Sequence, residues 1–231
     1  MGQTYQHILV RAAAEDVVEA MLPDDTGYVL PLIDGVSALF MDESAYRLDE
    51  EAERLSGALR TDAMTVGVLM SDFLIAHAYQ DGVSVNEYHS GPDTVQVTED
   101  ADGVLRFADG TVFDPYRDEF PRPEPVGGEP RWFLPYGVPE AEAETVAQVL
   151  RCEAPDGSEL GAEGQHAYLY IALGLPVLCI GFRHLDDDLL NNPGLEQLFA
   201  AALPFGEAEP IVPVEEPETT TEGTEGTSWE R

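Results

Sequence analysis

FLIAHAYQDGVSVNEYHS, residues 73–90, is the stretch of sequence that most clearly sets the fold. Two segments rich in β-branched and aromatic residues flank Asp81-Gly82, a dipeptide that favours the two-residue type I′ turn because both positions need a positive φ. The pattern therefore predicts an antiparallel hairpin. Its predicted register pairs His77 with Asn86 and Ile75 with Tyr88 on one face.

The polar face of this predicted hairpin is the candidate site in the first half of the chain. Imidazole titrates near neutral pH and a neighbouring amide can orient it, so His77, Asn86 and Tyr88 are candidate residues for acid–base catalysis. Ser84 and Ser90 are the hydroxyl groups on the same predicted face. The alternative is a structural histidine that is hydrogen-bonded across the hairpin.

The segments around the hairpin predict an α+β fold with a mostly antiparallel sheet, further hairpins and helices packed on one face. One more hairpin is predicted at Asp34-Gly35, where a type I′ turn is again favoured. Gly174 is predicted to end a helix as its C-cap. The predicted strands are 5–11, 28–33, 36–40, 65–70, 73–80, 83–90 and 177–182, and the predicted helices are 12–22, 48–60, 139–151, 162–173 and 194–202.

Composition shifts along the chain divide it into four segments. Residues 1–92 form an N-terminal α+β unit, and residues 93–130 are a linker or lid rich in proline, glycine and acid. Residues 131–206 form a second unit of helices and a strand that packs on the first. Residues 207–231 cannot bury enough apolar area to order themselves, which predicts a disordered acidic tail.

The charge of the chain excludes several partner classes. Its 231 residues include 45 Asp and Glu against 11 Lys and Arg, for a formal net charge of −34. Neutralising phosphates needs clustered cations, and anionic lipid would repel this chain, so we expect neither direct nucleic-acid binding nor membrane binding. The acid is spread over all four segments. That distribution favours a solvated surface, typical of a high-salt cytoplasm or a GC-rich genome, over a row of carboxylates that imitates DNA.

The sequence also predicts a cytoplasmic, reduced protein. Residues 1–7 lack the basic and apolar regions of a signal peptide, and no apolar run approaches the roughly 20 residues that span a bilayer. Cys152 and Cys179 are the only cysteines. Cys179 lies in an apolar run, where a thiol usually acts as a small hydrophobic side chain.

No motif for a cofactor is found, because glycine-rich phosphate loops and the metalloprotease and calcium-loop patterns are all missing from the sequence. We therefore predict no cofactor. The spacing of Cys152 and His166 from the other histidine and cysteine residues is too irregular for a zinc site. The triplet Asp186, Asp187 and Asp188 is a weak candidate for a divalent cation, because hard cations prefer carboxylate oxygens, but a solvated loop is the simpler interpretation.

Two motifs resemble a group of uncharacterised bacterial α+β proteins. The first is the hairpin ending V-x-E-Y-x-S-x-P-D, matched by residues 85–93, and the second is a helix ending A-L-G-L-P, matched by residues 172–176 and followed by Gly181-Phe182-Arg183. The resemblance implies a bacterial origin and one α+β architecture. It implies no catalytic residues.

Three functional hypotheses remain. The first is a non-enzymatic protein-binding module, of the adaptor or immunity-like kind, whose acidic surface attracts a basic partner protein. The second is a small hydrolase or lyase that uses the His77 face of the hairpin. The third is a nucleic-acid mimic. The sequence leaves the oligomeric state open.

Overall fold

The computed structural model describes residues 4–41, 45–91, 97–99, 104–107, 111–112, 124–178, 181–182, 185 and 193–211. The predicted tail beyond residue 211 and the candidate cation site at Asp186, Asp187 and Asp188 lie outside these ranges.

The described chain is built around one large antiparallel sheet. Its seven strands are β1 (Tyr5–Val10), β2 (Gly27–Ile33), β3 (Val36–Met41), β4 (Asp62–Leu69), β5 (Phe73–Gln80), β6 (Val83–His89) and β9 (Leu203–Phe205). The order across the sheet is β6, β5, β4, β1, β3, β2, β9. Two further strands, β7 (Val97–Glu99) and β8 (Leu105–Phe107), form a separate two-stranded sheet. The predicted α+β class with a mostly antiparallel sheet is confirmed.

Helices cover both faces of the sheet, whereas the sequence predicted them on one. The reason lies in the central strands, which carry apolar residues at consecutive positions. Ile8 and Leu9 of β1 are both fully buried, yet they point into different hydrophobic clusters on opposite faces. Since neither face of such a strand can meet water without exposing apolar area, each face needs its own helical layer.

The first layer consists of α1 (Ala14–Ala20) and α2 (Ala45–Leu59), and we call it the α1–α2 layer. Leu48, Ala52 and Leu55 of α2 are buried against the sheet, as the helical spacing predicted. Arg54 joins the two helices, because its guanidinium donates to the carbonyl of Ala20 at 2.9 Å and forms an ion pair with Glu51.

The second layer consists of α3 (Ala143–Leu150), α4 (Ala162–Leu173), α5 (Pro193–Phe199) and two short 3-10 helices (Pro130–Trp132 and Leu134–Tyr136), and we call it the α3–α4 layer. Its buried Phe133 and Leu169 belong to the same hydrophobic cluster as Leu9 and Phe40 of the sheet. The second half of the chain therefore shares a core with the first. Gly174 ends α4 in the left-handed conformation, with φ of 69°, as predicted.

Three local predictions differ from the structure. Val177 and Leu178, which begin the predicted strand 177–182, lie outside any strand, and the unpredicted β9 pairs with β2 instead. A three-residue strand is too short to produce a readable alternation. At the Asp34-Gly35 turn only Gly35 has a positive φ, so the turn is not type I′.

The described ends of the predicted linker and tail also contact the sheet. Val126 exchanges backbone hydrogen bonds with His89 at the outer edge of β6, at 3.1 and 3.0 Å. Beyond β9, the Tyr28 hydroxyl donates to the carbonyl of Glu209 at 2.9 Å, and Ile211 packs against the core. The first residues of the predicted tail, 207–211, thus lie against β2.

Candidate functional site

A β-bulge in β6 decides which hairpin residues meet. Asp81 and Gly82 both have a positive φ, of 51° and 78°, so the predicted turn forms, and Tyr79 faces Ser84 as predicted. The register then shifts by one residue, because Val85 has no partner of its own on β5.

The extra residue reverses the faces to which the later side chains of β6 point. Ala78 now faces Asn86, His77 faces Glu87, and Ala76 faces Tyr88. The predicted pairings of His77 with Asn86 and of Ile75 with Tyr88 are therefore wrong.

The three candidate catalytic residues do not form one site. His77 lies on the face covered by the α1–α2 layer, where it contacts α2. Tyr88 lies on the other face and is 1% exposed; its hydroxyl donates to the carbonyl of Leu150 at 2.9 Å and accepts from Gln165 at 2.6 Å. The amide of Asn86 donates to the carbonyl of Gly127 at 3.0 Å. Tyr88 and Asn86 thus connect the hairpin to neighbouring segments of the fold.

His77 instead forms an ion pair with Asp49 of α2. Its Nδ1 lies 2.9 Å from Asp49 Oδ2, and the hydroxyl of Thr65 donates to Asp49 Oδ1 at 2.6 Å. Thr65 faces His77 across β4 and β5, so the sheet register itself brings both groups to the carboxylate. The side chains of His77 and Asp49 are 31% and 32% exposed, so solvent reaches the pair.

The pair favours its charged form. The hydrogen bond to Asp49 raises the pKa of His77, and Glu87 across the hairpin adds to this effect. Burial by itself would raise the pKa of Asp49, but the hydrogen bonds from His77 and Thr65 outweigh burial and lower it. Burial, together with the nearby Asp49, also raises the pKa of Tyr79.

This geometry supplies the oriented general base of an acid–base site but, among the described residues, no well-placed hydroxyl group to act as its nucleophile. Because Asp49 accepts the Nδ1 proton, the neutral imidazole of His77 has Nε2 as its accepting nitrogen. The predicted hydroxyl partners are less well placed. The hydroxyl of Ser90 accepts a hydrogen bond from the backbone of Leu74 at 2.9 Å, and Ser84 faces Tyr79 rather than His77.

Asp49 was not predicted as a site residue. It lies beside the apolar stripe of α2, and an acid in that position is normally assigned to the solvent-exposed face of the helix. Its position directly after Leu48, a residue of the apolar stripe, was the one indication in the sequence that its carboxylate could lie near the sheet. Which strand the carboxylate reaches depends on the docking of α2, and the helix pattern alone does not specify that.

A second group of titratable side chains lies in the core, between β1 and α4. His166 is fully buried, and its Nδ1 lies 3.1 Å from the hydroxyl of Tyr5. His7, also fully buried, is hydrogen-bonded to the hydroxyl of Tyr170. The ring centroids of the two histidines are 5.6 Å apart. Burial lowers the pKa of His166 well below its ordinary value, and the nearby His7 lowers it further.

The solvent side of the α1–α2 layer is acidic. Five of its carboxylates are exposed and form no ion pair among the described residues: Glu15, Asp16, Glu19, Glu50 and Glu53. Two nearby arginines form ion pairs with other acids, Arg54 with Glu51 and the half-exposed Arg11 with Asp62 at 2.9 Å.

The described ranges contain no group of three His, Cys, Asp or Glu residues arranged to hold a metal ion. The exposed Asp156 accepts hydrogen bonds from the backbone and hydroxyl of Ser158 at 2.9 and 2.6 Å. Among the helices of the described part, none has the length and apolar character needed to cross a membrane.

Comparison with protein-family models, with curated proteins and with solved structures yields no significant match for this chain.

Proposed function

We propose that this protein is a non-enzymatic, cytoplasmic protein-binding module, of the adaptor or immunity-like kind, that binds a basic partner on the α1–α2 layer. The observation that carries the proposal is the exposed set of five unpaired carboxylates on that layer. Arg54 of this layer is held in an ion pair with Glu51, whereas Arg47 of α2 and Arg60 directly after it are exposed. The five carboxylates outnumber these two exposed cations, so the surface stays negative.

Such a surface favours encounter with a cationic protein. Long-range attraction between opposite charges raises the association rate, and salt screens it over a Debye length of about 8 Å at physiological ionic strength. Binding that depends on these carboxylates must therefore weaken as salt is added.

Within the described helices of the α3–α4 layer, fewer acids are unpaired, although Glu140 and Glu142 just before α3 are exposed. Glu144 of α3 forms an ion pair with Arg151 at 3.1 Å, and Glu163 of α4 accepts a hydrogen bond from the Ser71 hydroxyl at 2.7 Å. This difference between the layers supports α1–α2 as the binding side.

The test is a pull-down from a lysate of the native host at low and high salt, followed by direct titration of the recovered protein. Glu15→Gln with Glu19→Gln removes two charges from α1, and Glu140→Gln with Glu142→Gln removes the same number near α3 as the matched control. We expect a basic protein that binds the parent and the control at low salt, and that binds the α1 variant at least several-fold more weakly. Equal binding by both variants, or recovery of no basic partner at any salt concentration, would contradict the proposal.

The His77–Asp49 pair favours a second candidate function, that of a small hydrolase or lyase in which His77 is the general base. A carboxylate on Nδ1 orients the imidazole and leaves Nε2 to accept a proton from a substrate or water. In that case His77→Ala would abolish turnover of an ester, amide or glycoside substrate while the protein stayed folded. A screen of these substrate classes that finds no turnover in the parent protein would count against this candidate.

A further inference from the structure

We propose that His166 is an acid-operated latch that holds α4 on the sheet when its imidazole is neutral and releases the helix in mild acid. The proposal concerns the core between β1 and α4 and is independent of the binding surface on the other layer.

In the described part of the chain, three polar contacts join α4 to strands of the sheet. Gln165 donates to the Tyr88 hydroxyl of β6, His166 meets the Tyr5 hydroxyl of β1, and Tyr170 meets His7 of β1. An amide and a phenol keep their protonation state between pH 5 and 8, whereas an imidazole does not. Acid therefore acts on this attachment through the histidines.

The surroundings of His166 cannot support a positive charge. Its side chain is fully buried, and Nε2 has no hydrogen-bond partner among the described residues. Burying an unpaired charge costs free energy, so protonation of His166 favours states in which α4 has separated from the sheet.

The titratable groups that face His166 come from two elements. They are Tyr5 and His7 on β1, with ring centroids 5.5 and 5.6 Å away, and Tyr170 on α4 itself, at 5.0 Å. Phe40 of β3 contacts the His7 ring and carries no charge. Among the described residues, His7 is the only charged or titratable group that acts electrostatically on His166, and its protonation would repel a second positive charge.

Opening of α4 should therefore allow His166 to take up a proton. With an ordinary pKa of 6.5 in the open state, the opening equilibrium rises about tenfold per pH unit below that value, and about 30-fold between pH 7.5 and 5.0.

Amide hydrogen exchange of the full chain tests this, with rates corrected for the intrinsic effect of pH. We expect the opening equilibrium of α4 amides to rise about 30-fold over that range while α2 amides, on the other face, change much less. His77→Gln is the matched control and should leave the response of α4 intact, whereas His166→Gln should reduce it.

Because His166→Gln replaces a core residue, a second measurement on the parent protein guards against loss of folding. The imidazole signal of His166 in the closed state should remain that of a neutral ring at pH values at which a free imidazole is already protonated. A ring that titrates near 6.5 in the closed protein, an α4 response that is flat with pH, or equal opening of α2 and α4 would overturn the latch.

Discussion

His77 and His166 lie on opposite faces of the same sheet, and the fold gives them opposite affinities for a proton. His77 is 31% exposed beside a carboxylate, which raises its pKa. His166 is fully buried beside a phenol and a second imidazole. Burial lowers its pKa, and the second imidazole, His7, lowers it further. The residue type is the same in both places. The sign of the shift depends on whether a negative partner compensates for the loss of water around the charge.

The comparison also separates two structural roles. The ion pair of His77 can form and break at the surface without disturbing the core, so its contribution to stability is modest. The hydrogen bond of His166 belongs to the packing between sheet and helix. Disturbing it disturbs the attachment of the second half of the chain.

Acidification should produce the largest effect. The lowered folded-state pKa of His166 means that its contribution to stability is lost as pH falls below 6.5, at most about tenfold in the folding equilibrium per pH unit. Burial lowers the pKa of His89, which adds in the same direction. The raised pKa of His77 acts oppositely, since its contribution is fully present in acid and is lost as pH rises through the folded-state value.

Urea unfolding between pH 7.5 and 5.0 measures this balance. His77→Gln should make the decline in acid steeper, because it removes the one opposing contribution named here. A free energy of unfolding that stays level over this range in both proteins would show that the buried imidazole is not held neutral.

Removing the phenol that holds His166 should have the next largest effect. Tyr5→Phe deletes the hydroxyl at 3.1 Å from Nδ1 and leaves a buried polar nitrogen without that partner, at a cost of about 1.5 kcal/mol. Tyr168→Phe on α4 is the matched control, because this half-buried hydroxyl makes no hydrogen bond among the described residues. Equal unfolding midpoints for the two variants would contradict the prediction.

Breaking the pair on the other face should cost less. Asp49→Asn removes the charge that His77 and Thr65 contact, and we expect the free energy of unfolding to fall by about 1 kcal/mol. The pKa of His77 should fall in the same variant, since its largest cause is removed. NMR titration of the imidazole measures this shift, with Glu50→Gln as the exposed neighbouring control. An unchanged His77 titration in Asp49→Asn would show that the two side chains do not interact in solution.

Truncation of the C-terminus should have the smallest effect and is independent of both histidines. Residues 212–231 are rich in Pro, Glu, Thr and Gly, so deleting them should change the free energy of unfolding by less than about 0.5 kcal/mol. Ending the chain at residue 206 also removes Glu209 and Ile211 from β2 and the core, and should cost about 1 kcal/mol more. Thermal unfolding of the two truncated proteins distinguishes these cases, and a large loss in the shorter deletion would reveal a stabilising tail.

The local elements were predictable because they depend on residues close together in sequence. The Asp81-Gly82 turn, the apolar stripe of α2 and the glycine cap of α4 each follow from backbone preference and side-chain period. The antiparallel class followed from the hairpins. The consecutive apolar residues of β1 also indicated that both faces of the sheet are buried, although the sequence analysis predicted helices on one face only.

The sites depended on tertiary structure. One extra residue at Val85 separates His77 from Asn86 and Tyr88. The bulge is stabilised by the packing of β6, so local residue preferences do not predict it. Asp49 is 28 residues from His77 in the printed sequence, and His7 and Tyr170 are separated by 163. Sequence by itself determined which strands, turns and helices form, because short-range sterics and hydrophobic period act along the chain. Only tertiary packing decided which titratable groups meet and in which direction their pKa values shift, because burial and neighbouring charge act through space.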